Sequence, residues 1–132
     1  MTIRSTYQVA HWYEHHVTYA HMNVAIGASG APTLTANYNK GIASITRNST
    51  GKYTIVMGDP AQSGSLYLAK RLLQVTGQVM YSSISGVISV QLVSDSLSSA
   101  GSFVIQCVSA TGVAADPESG STLLLEIALR KL

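Results

Sequence analysis

An alternating pattern between Gly41 and Pro60 constrains the fold more than any other feature of the sequence. Two runs of β-branched and aromatic residues alternate there with polar residues, which is the period of a half-buried β-strand. The polar segment Asn48-Ser49-Thr50-Gly51 separates the two runs. The pattern predicts a β-hairpin with a bulged or four-residue loop, in which Gly51 takes a positive φ.

Similar alternation recurs along the chain, separated by turns rich in Gly, Ser and Asn. The alternating runs lie at 18–26, 73–79, 88–93, 103–108 and 122–130. The segment up to about Lys70 is expected to be a loop or one helical turn, and no other helix is indicated. This pattern predicts an all-β protein with a single antiparallel β-sandwich or jelly-roll-like domain and an extended N-terminal arm. Within this one domain, residues 1–40 are assigned to an N-terminal arm or edge strands and loop, and residues 41–132 to the β-sandwich core.

The inward positions of these predicted strands define the expected core. We expect burial of Ile45, Tyr53, Ile55, Val90, Leu92, Phe103, Ile105, Leu125 and Ile127. The last strand is expected to line the core with Leu123, Leu125, Ile127 and Leu129. The lone cysteine, Cys107, excludes an intramolecular disulfide and is interpreted as a small buried hydrophobic residue.

The composition is poor in charge, which narrows the classes of function. Charged residues make up 11% of the chain, against about 25% in average soluble domains. Such a composition suits a sheet protein whose outer faces contact other protein, although ordinary β-sandwiches show it as well. The net charge of +2 is scattered along the chain, which argues against nucleic acid as a partner. Since neither a signal-peptide pattern nor a long apolar run is present, we expect cytoplasmic synthesis and no membrane partner.

The N-terminal segment has the most unusual local composition, because it holds every histidine and the only tryptophan. On a strand, His11 and His15 would lie about 13 Å apart, too far for one metal ion. We therefore expect no metal and no cofactor. An aromatic arm that packs on a neighbouring chain fits the composition better, since aromatic residues anchor interfaces. The candidate interface residues are Tyr7, His11, Trp12 and Tyr13.

Catalytic signatures are missing from the sequence. No nucleophile elbow, phosphate-binding loop, dinucleotide fingerprint or paired-cysteine metal motif is present. Asp116 precedes a proline in a loop, where the ordinary role of an aspartate is an Asx-type side-chain cap. Asp116 and Glu118 lie close enough in sequence to pair as carboxylates, but adjacent loop acids are usually solvated. We therefore expect that the protein is not an enzyme.

Two segments together resemble a known family. The first, ITRNSTGKYTIVM, resembles a strand-turn-strand with an Arg-x-x-Thr-Gly-x-Tyr pattern. The second, FVIQCVSATGVAADPESGSTLLLEIALRK, resembles a strand, an Ala-x-Gly-x-Ala-x-Asp loop and a closing strand. The pairing, over roughly 41–59 and 101–131, is similar to that of head decoration (cement) proteins of tailed bacteriophages, which have a jelly-roll-like fold.

This resemblance implies a virion protein on the capsid surface. It would bind the outside of the phage head, stabilise contacts between major capsid subunits and form a homo-oligomer, with a trimer slightly favoured over a dimer. Similar segments occur in phage tail and fibre modules. The alternative function is therefore a module that binds a host-surface receptor or glycan, with Trp12 or Tyr38 beside Asn37 and Asn39 as a platform for the sugar.

Overall fold

The computed structural model describes residues 17–35, 39, 41–58 and 71–130. The strands are β1 (Val17–Ile26), β2 (Pro32–Leu34), β3 (Ile42–Ser49), β4 (Lys52–Met57), β5 (Arg71–Met80), β6 (Val87–Ser96), β7 (Ser102–Ser109) and β8 (Thr122–Arg130). A 3-10 turn spans Ala28–Gly30, and a short helix, α1, spans Leu97–Ala100. Among the described residues, no helix is long and apolar enough to cross a membrane.

The strands form two antiparallel sheets packed face to face. The first sheet has the order β2-β1-β8-β5, and the second has the order β3-β4-β7-β6. Across the sandwich, β5 contacts β6 along one side and β2 contacts β3 along the other. The predicted all-β antiparallel sandwich is therefore confirmed.

Most of the side chains that the sequence predicts to be in the core are buried. In the first sheet the buried side chains are Ala20, Met22, Val24 and Ile26 of β1 and Leu123, Leu125, Ile127 and Leu129 of β8. Facing them from the second sheet are Tyr53, Ile55, Met57, Phe103, Ile105 and Cys107. Cys107 is thus a buried residue of the core, as expected.

Strand β1 is an inner strand of its sheet, hydrogen-bonded to β2 on one side and to β8 on the other. Its residues Met22 and Val24 are buried in the core. The sandwich therefore includes residues from the range 1–40, which the sequence assigns to an arm or edge strands and loop. Residues 1–16, where the arm is predicted, lie outside the described residues.

The predicted hairpin is formed by β3 and β4, and its loop carries the expected bulge. The pairing register shifts between Arg47 and Ser49, so that Asn48 is an extra residue on β3. Gly51 has a φ of 70°, in the left-handed region that favours glycine. A Cβ at this position would also lie 2.7 Å from the Ala115 nitrogen. Gly51 is therefore required both by its turn and by the close approach of another loop.

Three expected core residues are less buried than predicted, and all three lie on edge strands. Leu92 is 44% exposed, and Ile45 and Val90 are only partly buried. Strands β3 and β6 each have a hydrogen-bonded neighbour on one side only, so their inward side chains are incompletely covered. The alternation of the sequence indicates which way these side chains point but not whether the strand lies at an edge.

Bulges turn outward the apolar residues with which the alternating runs 73–79 and 88–93 begin. The register of β5 shifts between Leu72 and Gln74, which turns Leu73 outward. That of β6 shifts between Val87 and Ser89, which turns Ile88 outward. Each bulge inserts one residue and breaks the alternation at that point.

The helical elements also differ from expectation. Helix α1, Leu97–Ala100, forms where the sequence predicts only a connection. The segment before Lys70, expected to be a loop or one helical turn, lies outside the described residues.

Candidate functional site

The two segments that carry the family resemblance meet in one polar cluster. Arg47 donates from Nε to Oδ1 of Asp116 over 2.9 Å and from Nη2 to Oδ2 over 2.7 Å. The backbone amide of Gly51 donates to the same Oδ1 over 2.8 Å. The loop that contains Asp116 is thereby fastened to the β3–β4 hairpin. We call Gly30, Arg47, Gly51, Tyr53 and Asp116 the Arg47–Asp116 cluster.

Tyr53 extends this cluster to the first sheet. Its fully buried side chain donates a hydrogen bond from the hydroxyl to the carbonyl oxygen of Gly30 over 2.9 Å. Gly30 has a φ of 74°, and a Cβ there would lie 2.5 Å from Cγ of Asp116. Only glycine fits between the turn and the carboxylate. The cluster therefore joins the 3-10 turn after β1, the hairpin and the loop before β8.

The pKa values in and around the cluster follow from its contacts. Hydrogen bonds from Arg47 lower the pKa of Asp116; partial burial opposes this effect, and the Gly51 amide adds to the lowering. Burial, followed by the negative charge of Asp116, raises the pKa of Tyr53. The same two causes raise the pKa of Cys107 to about 12. At neutral pH Asp116 is therefore ionised, while Tyr53 and Cys107 keep their protons and are poor nucleophiles.

Two further acids bind backbone amides in the same way. Glu118 accepts hydrogen bonds from the Gly86 amide and, over 2.8 Å, from the Ser85 hydroxyl. Partial burial raises the pKa of Glu118, but hydrogen bonds from the Gly86 amide, its own amide and Ser85 outweigh that effect and lower the pKa overall. Asp95 accepts the Leu97 amide over 2.9 Å at the start of α1.

Both acids are therefore hydrogen-bonded rather than simply solvated, and Asp116, expected to cap its own loop, caps the Gly51 amide of the β3–β4 hairpin. The two carboxylates also do not act as a pair, because Asp116 binds the β3–β4 hairpin and Glu118 binds the turn between β5 and β6. Each holds a loop against a strand connection that is distant in sequence. Asp116 and Glu118 therefore stabilise the folded structure.

The outer face of the first sheet forms a shallow groove of about 450 Å³. Side chains at aligned positions of three adjacent strands line it. One row across the sheet consists of His21, Glu126 and Thr76, and the next of Asn23, Leu124 and Gln78. The groove thus presents amide, hydroxyl, imidazole and carboxylate groups around one apolar side chain. Such a surface can exchange hydrogen bonds with another protein or with a polyhydroxylated ligand.

Asn39 is expected in a sugar-binding platform, but its side chain forms hydrogen bonds within the protein. Its side-chain oxygen accepts the Asn23 amide over 2.8 Å, and its Nδ2 donates to the carbonyl oxygens of Asn23 and Thr35 over 3.0 and 2.8 Å. These bonds continue the pairing of β1 beyond the short strand β2. The platform residues Trp12, Asn37 and Tyr38 lie outside the described residues.

The predicted interface residues Tyr7, His11, Trp12 and Tyr13 also lie outside the described residues, so their role stays a prediction. Within the described part of the chain, no group of three or more His, Cys, Asp or Glu side chains is arranged to hold a metal ion.

The Arg47–Asp116 pairing was missed by sequence reasoning, although two signals were present. Arg47 is a charged residue inside a strand of a charge-poor chain, and Asp116 lies in the second segment of the resemblance. Their local patterns indicate a strand and a loop and do not indicate that the two residues are partners.

Comparison with protein-family models, with curated proteins and with solved structures found no match. The resemblance to decoration proteins stays an expectation from the sequence.

Proposed function

We propose that this protein is a capsid decoration protein of a tailed bacteriophage, which binds the outside of the head and stabilises contacts between major capsid subunits. The supporting observation is the outer face of the first sheet. That face spans three adjacent strands and presents mainly uncharged hydrogen-bonding side chains. A broad polar face on a rigid sandwich suits contact with an extended protein surface, where hydrogen bonds and shape set specificity.

The acid-anchored loop supports the same role. Asp116 and Glu118 each hold a backbone amide of a connection that is distant in sequence, so the loop between β7 and β8 is tied to the sandwich. A rigid binding surface loses little conformational entropy on docking. A protein that binds the assembled shell more tightly than separate subunits stabilises the shell by linkage, and many copies on one particle add their effects.

Copy number and position in the particle test this proposal. In particles that contain the protein, quantitative mass spectrometry gives its ratio to the major capsid protein, and electron cryomicroscopy gives its position. A decoration protein is present in many copies spread over the head, and made in the host cytoplasm before it joins the particle. A few copies at one vertex, or none on the head, would refute the proposal.

Variants of the groove test whether the first sheet forms the contact with the coat. Gln78→Lys places a charge on the outer face of the first sheet, while Gln106→Lys places the same charge on the outer face of the second. We expect Gln78→Lys to lower occupancy on undecorated capsids and Gln106→Lys to leave occupancy unchanged. Equal occupancy of both variants would show that another surface binds the shell.

The groove also favours a second candidate function, a tail or fibre module that binds a host-surface glycan. Its amide, hydroxyl and carboxylate groups around Leu124 resemble the mixture of polar and apolar contacts that sugars need. On this alternative the protein would occur near the tail, and Gln78→Lys would reduce binding to host cells. The particle-imaging experiment separates the two functions.

A further inference from the structure

The two short basic runs of the sequence, Lys70-Arg71 and Arg130-Lys131, meet at one end of the first sheet. Arg71 begins β5 and Arg130 ends β8, and the two residues lie directly opposite each other in the antiparallel register. The adjoining lysines lie outside the described residues but are covalently bonded to these arginines. Four of the eight Lys and Arg residues of the chain therefore belong to this corner. We call the two arginines the Arg71–Arg130 pair.

Both arginines belong to the outer face of the first sheet. Their neighbours along the strands, Leu72 and Leu129, pack in the core, so the alternation of a strand turns Arg71 and Arg130 outward. Arg71 is exposed and Arg130 is half-buried. Residues directly opposite each other on antiparallel strands have Cβ atoms about 4.5–5.5 Å apart. Two positive charges are therefore close neighbours on one surface.

No acid among the described residues neutralises this pair. On its other side Arg130 faces Val17 of β1, and within the described ranges the ion pair is that of Arg47 with Asp116. The acid of the same face, Glu126, is four residues from Arg130 along β8, which is about 13 Å by strand rise. Like charges directly opposite each other destabilise a sheet. The pair therefore costs stability in the free chain, and a bound anion would remove that cost.

The surroundings of the pair indicate which anion it binds. Two neighbouring guanidinium groups bind an oxyanion, either a carboxylate or a phosphate. Proteins that bind nucleic acid neutralise several phosphates over an extended basic surface, whereas the next charge along this face is the carboxylate of Glu126, which repels a phosphate backbone. The carboxylate of a protein side chain is a single compact charge, and it fits the pair without approaching Glu126.

We propose that the Arg71–Arg130 pair is a binding site for a carboxylate on an acidic segment of a partner protein. The pair and the groove share the outer face of the same three strands. The inference deepens the proposed function, and it rests on that function where the partner is the major capsid protein. An Asp or Glu of the coat then binds at the pair, and uncharged groups of the coat bind at the groove.

Stability of the free chain is the first test. Arg71→Gln and Arg130→Gln each remove one charge and keep a polar side chain. Lys52→Gln is the matched control, because it lowers the net charge equally but lies on the second sheet, opposite Gln106. At low salt we expect both arginine variants to unfold at the same urea concentration as this control or at a higher one, since the like-charge contact is relieved. If both were less stable than the control, an acid of this chain would hold the pair, and the proposal would be overturned.

Calorimetric titration of the full chain with a short polyglutamate peptide is the second test. We expect each arginine variant to weaken peptide binding about tenfold, Lys52→Gln to leave it unchanged, and added salt to weaken it in the wild type. Wild-type affinity in both arginine variants would overturn the proposal. Tighter binding of duplex DNA than of the peptide, or self-association of the wild type that Arg130→Gln removes, would assign the pair to another occupant and overturn it as well.

The same variants on undecorated capsids separate this inference from the proposed function. We expect both arginine variants to reach lower occupancy than Lys52→Gln. Equal occupancy of all three on the head would refute the pair as the contact with the coat and leave the decoration function standing. If the protein were absent from heads, the decoration function would fail, and the peptide titration would still decide whether the pair binds carboxylates.

Discussion

Replacing Asp116 with alanine removes the acceptor that holds the loop before β8 to the β3–β4 hairpin. In the folded protein this carboxylate binds the Gly51 amide and the Arg47 guanidinium. Gly51 is buried, so its amide has no ready access to water once the carboxylate is gone. Arg47 is 30% exposed through its side chain and can recover hydration. The main loss in Asp116→Ala is therefore the hydrogen bond of the Gly51 amide.

The size of that loss follows from the cost of burying an unpaired donor, which is about 1–3 kcal/mol. We expect Asp116→Ala to lower the free energy of unfolding by about 2 kcal/mol, a large share of the ~5–15 kcal/mol typical of a domain. For a chain of this length, that corresponds to a fall in melting temperature of roughly 5 to 10 °C. Asp116→Asn keeps an oxygen for the Gly51 amide and should lose less.

Urea unfolding followed by circular dichroism measures these differences. Arg47→Met is the matched control, because it removes the ion pair and leaves the Gly51 amide bonded to Asp116. We expect Asp116→Ala to be clearly less stable than Arg47→Met. If the two variants were equally stable, or if Asp116→Ala were as stable as the wild type, the reasoning based on the buried amide would be refuted.

The same carboxylate gives the stability a pH dependence of known sign. The pKa of Asp116 is lower in the folded protein than its ordinary value, and that of Glu118 is lowered too. Both contributions are therefore present above an ordinary carboxyl pKa of about 4, and both are lost as the pH falls through the folded-state pKa values. The difference in stability between wild type and Asp116→Asn should shrink over that acid range. A difference that stayed constant down to acid pH would contradict the assignment.

Two substitutions and one labelling experiment test the packing of the core. A Cβ at Gly77 would lie 2.5 Å from Leu125 Cδ2 and 2.8 Å from Val90 Cγ2. Gly77→Ala should therefore lower the free energy of unfolding, measured with urea, by about 1–3 kcal/mol. Wild-type stability of this variant would mean that β5 and β6 can separate. Cys107 should resist a thiol reagent at pH 8 until the protein is denatured, because it is buried with a raised pKa; rapid labelling of the native protein would contradict this burial. Ile105→Asp should abolish cooperative folding, since it buries an unpaired charge, and a soluble variant that melts cooperatively would disprove the core assignment.

The sequence alone determined the fold class and most of the core. Alternation of apolar and polar residues is set by the backbone of a single strand, so it can be recognised without knowing what the strand pairs with. For that reason the four inward residues of β8 and the hairpin with a left-handed Gly51 were predicted correctly. These features depend on residues that are close together in the chain.

The tertiary structure alone decided which strands are edges and where their registers shift. Leu92 points inward as its pattern requires but is exposed because β6 lies at the edge of its sheet. Leu73 and Ile88 face outward because each occupies a bulge, which depends on the partner strand as well as on the residue itself.

The pairing of Arg47 with Asp116 joins residues 69 positions apart. No local pattern can predict it, because the two side chains meet only after the order of the strands has been set. Both residues can be identified in the sequence, but only the packing of the folded chain shows that they are in contact.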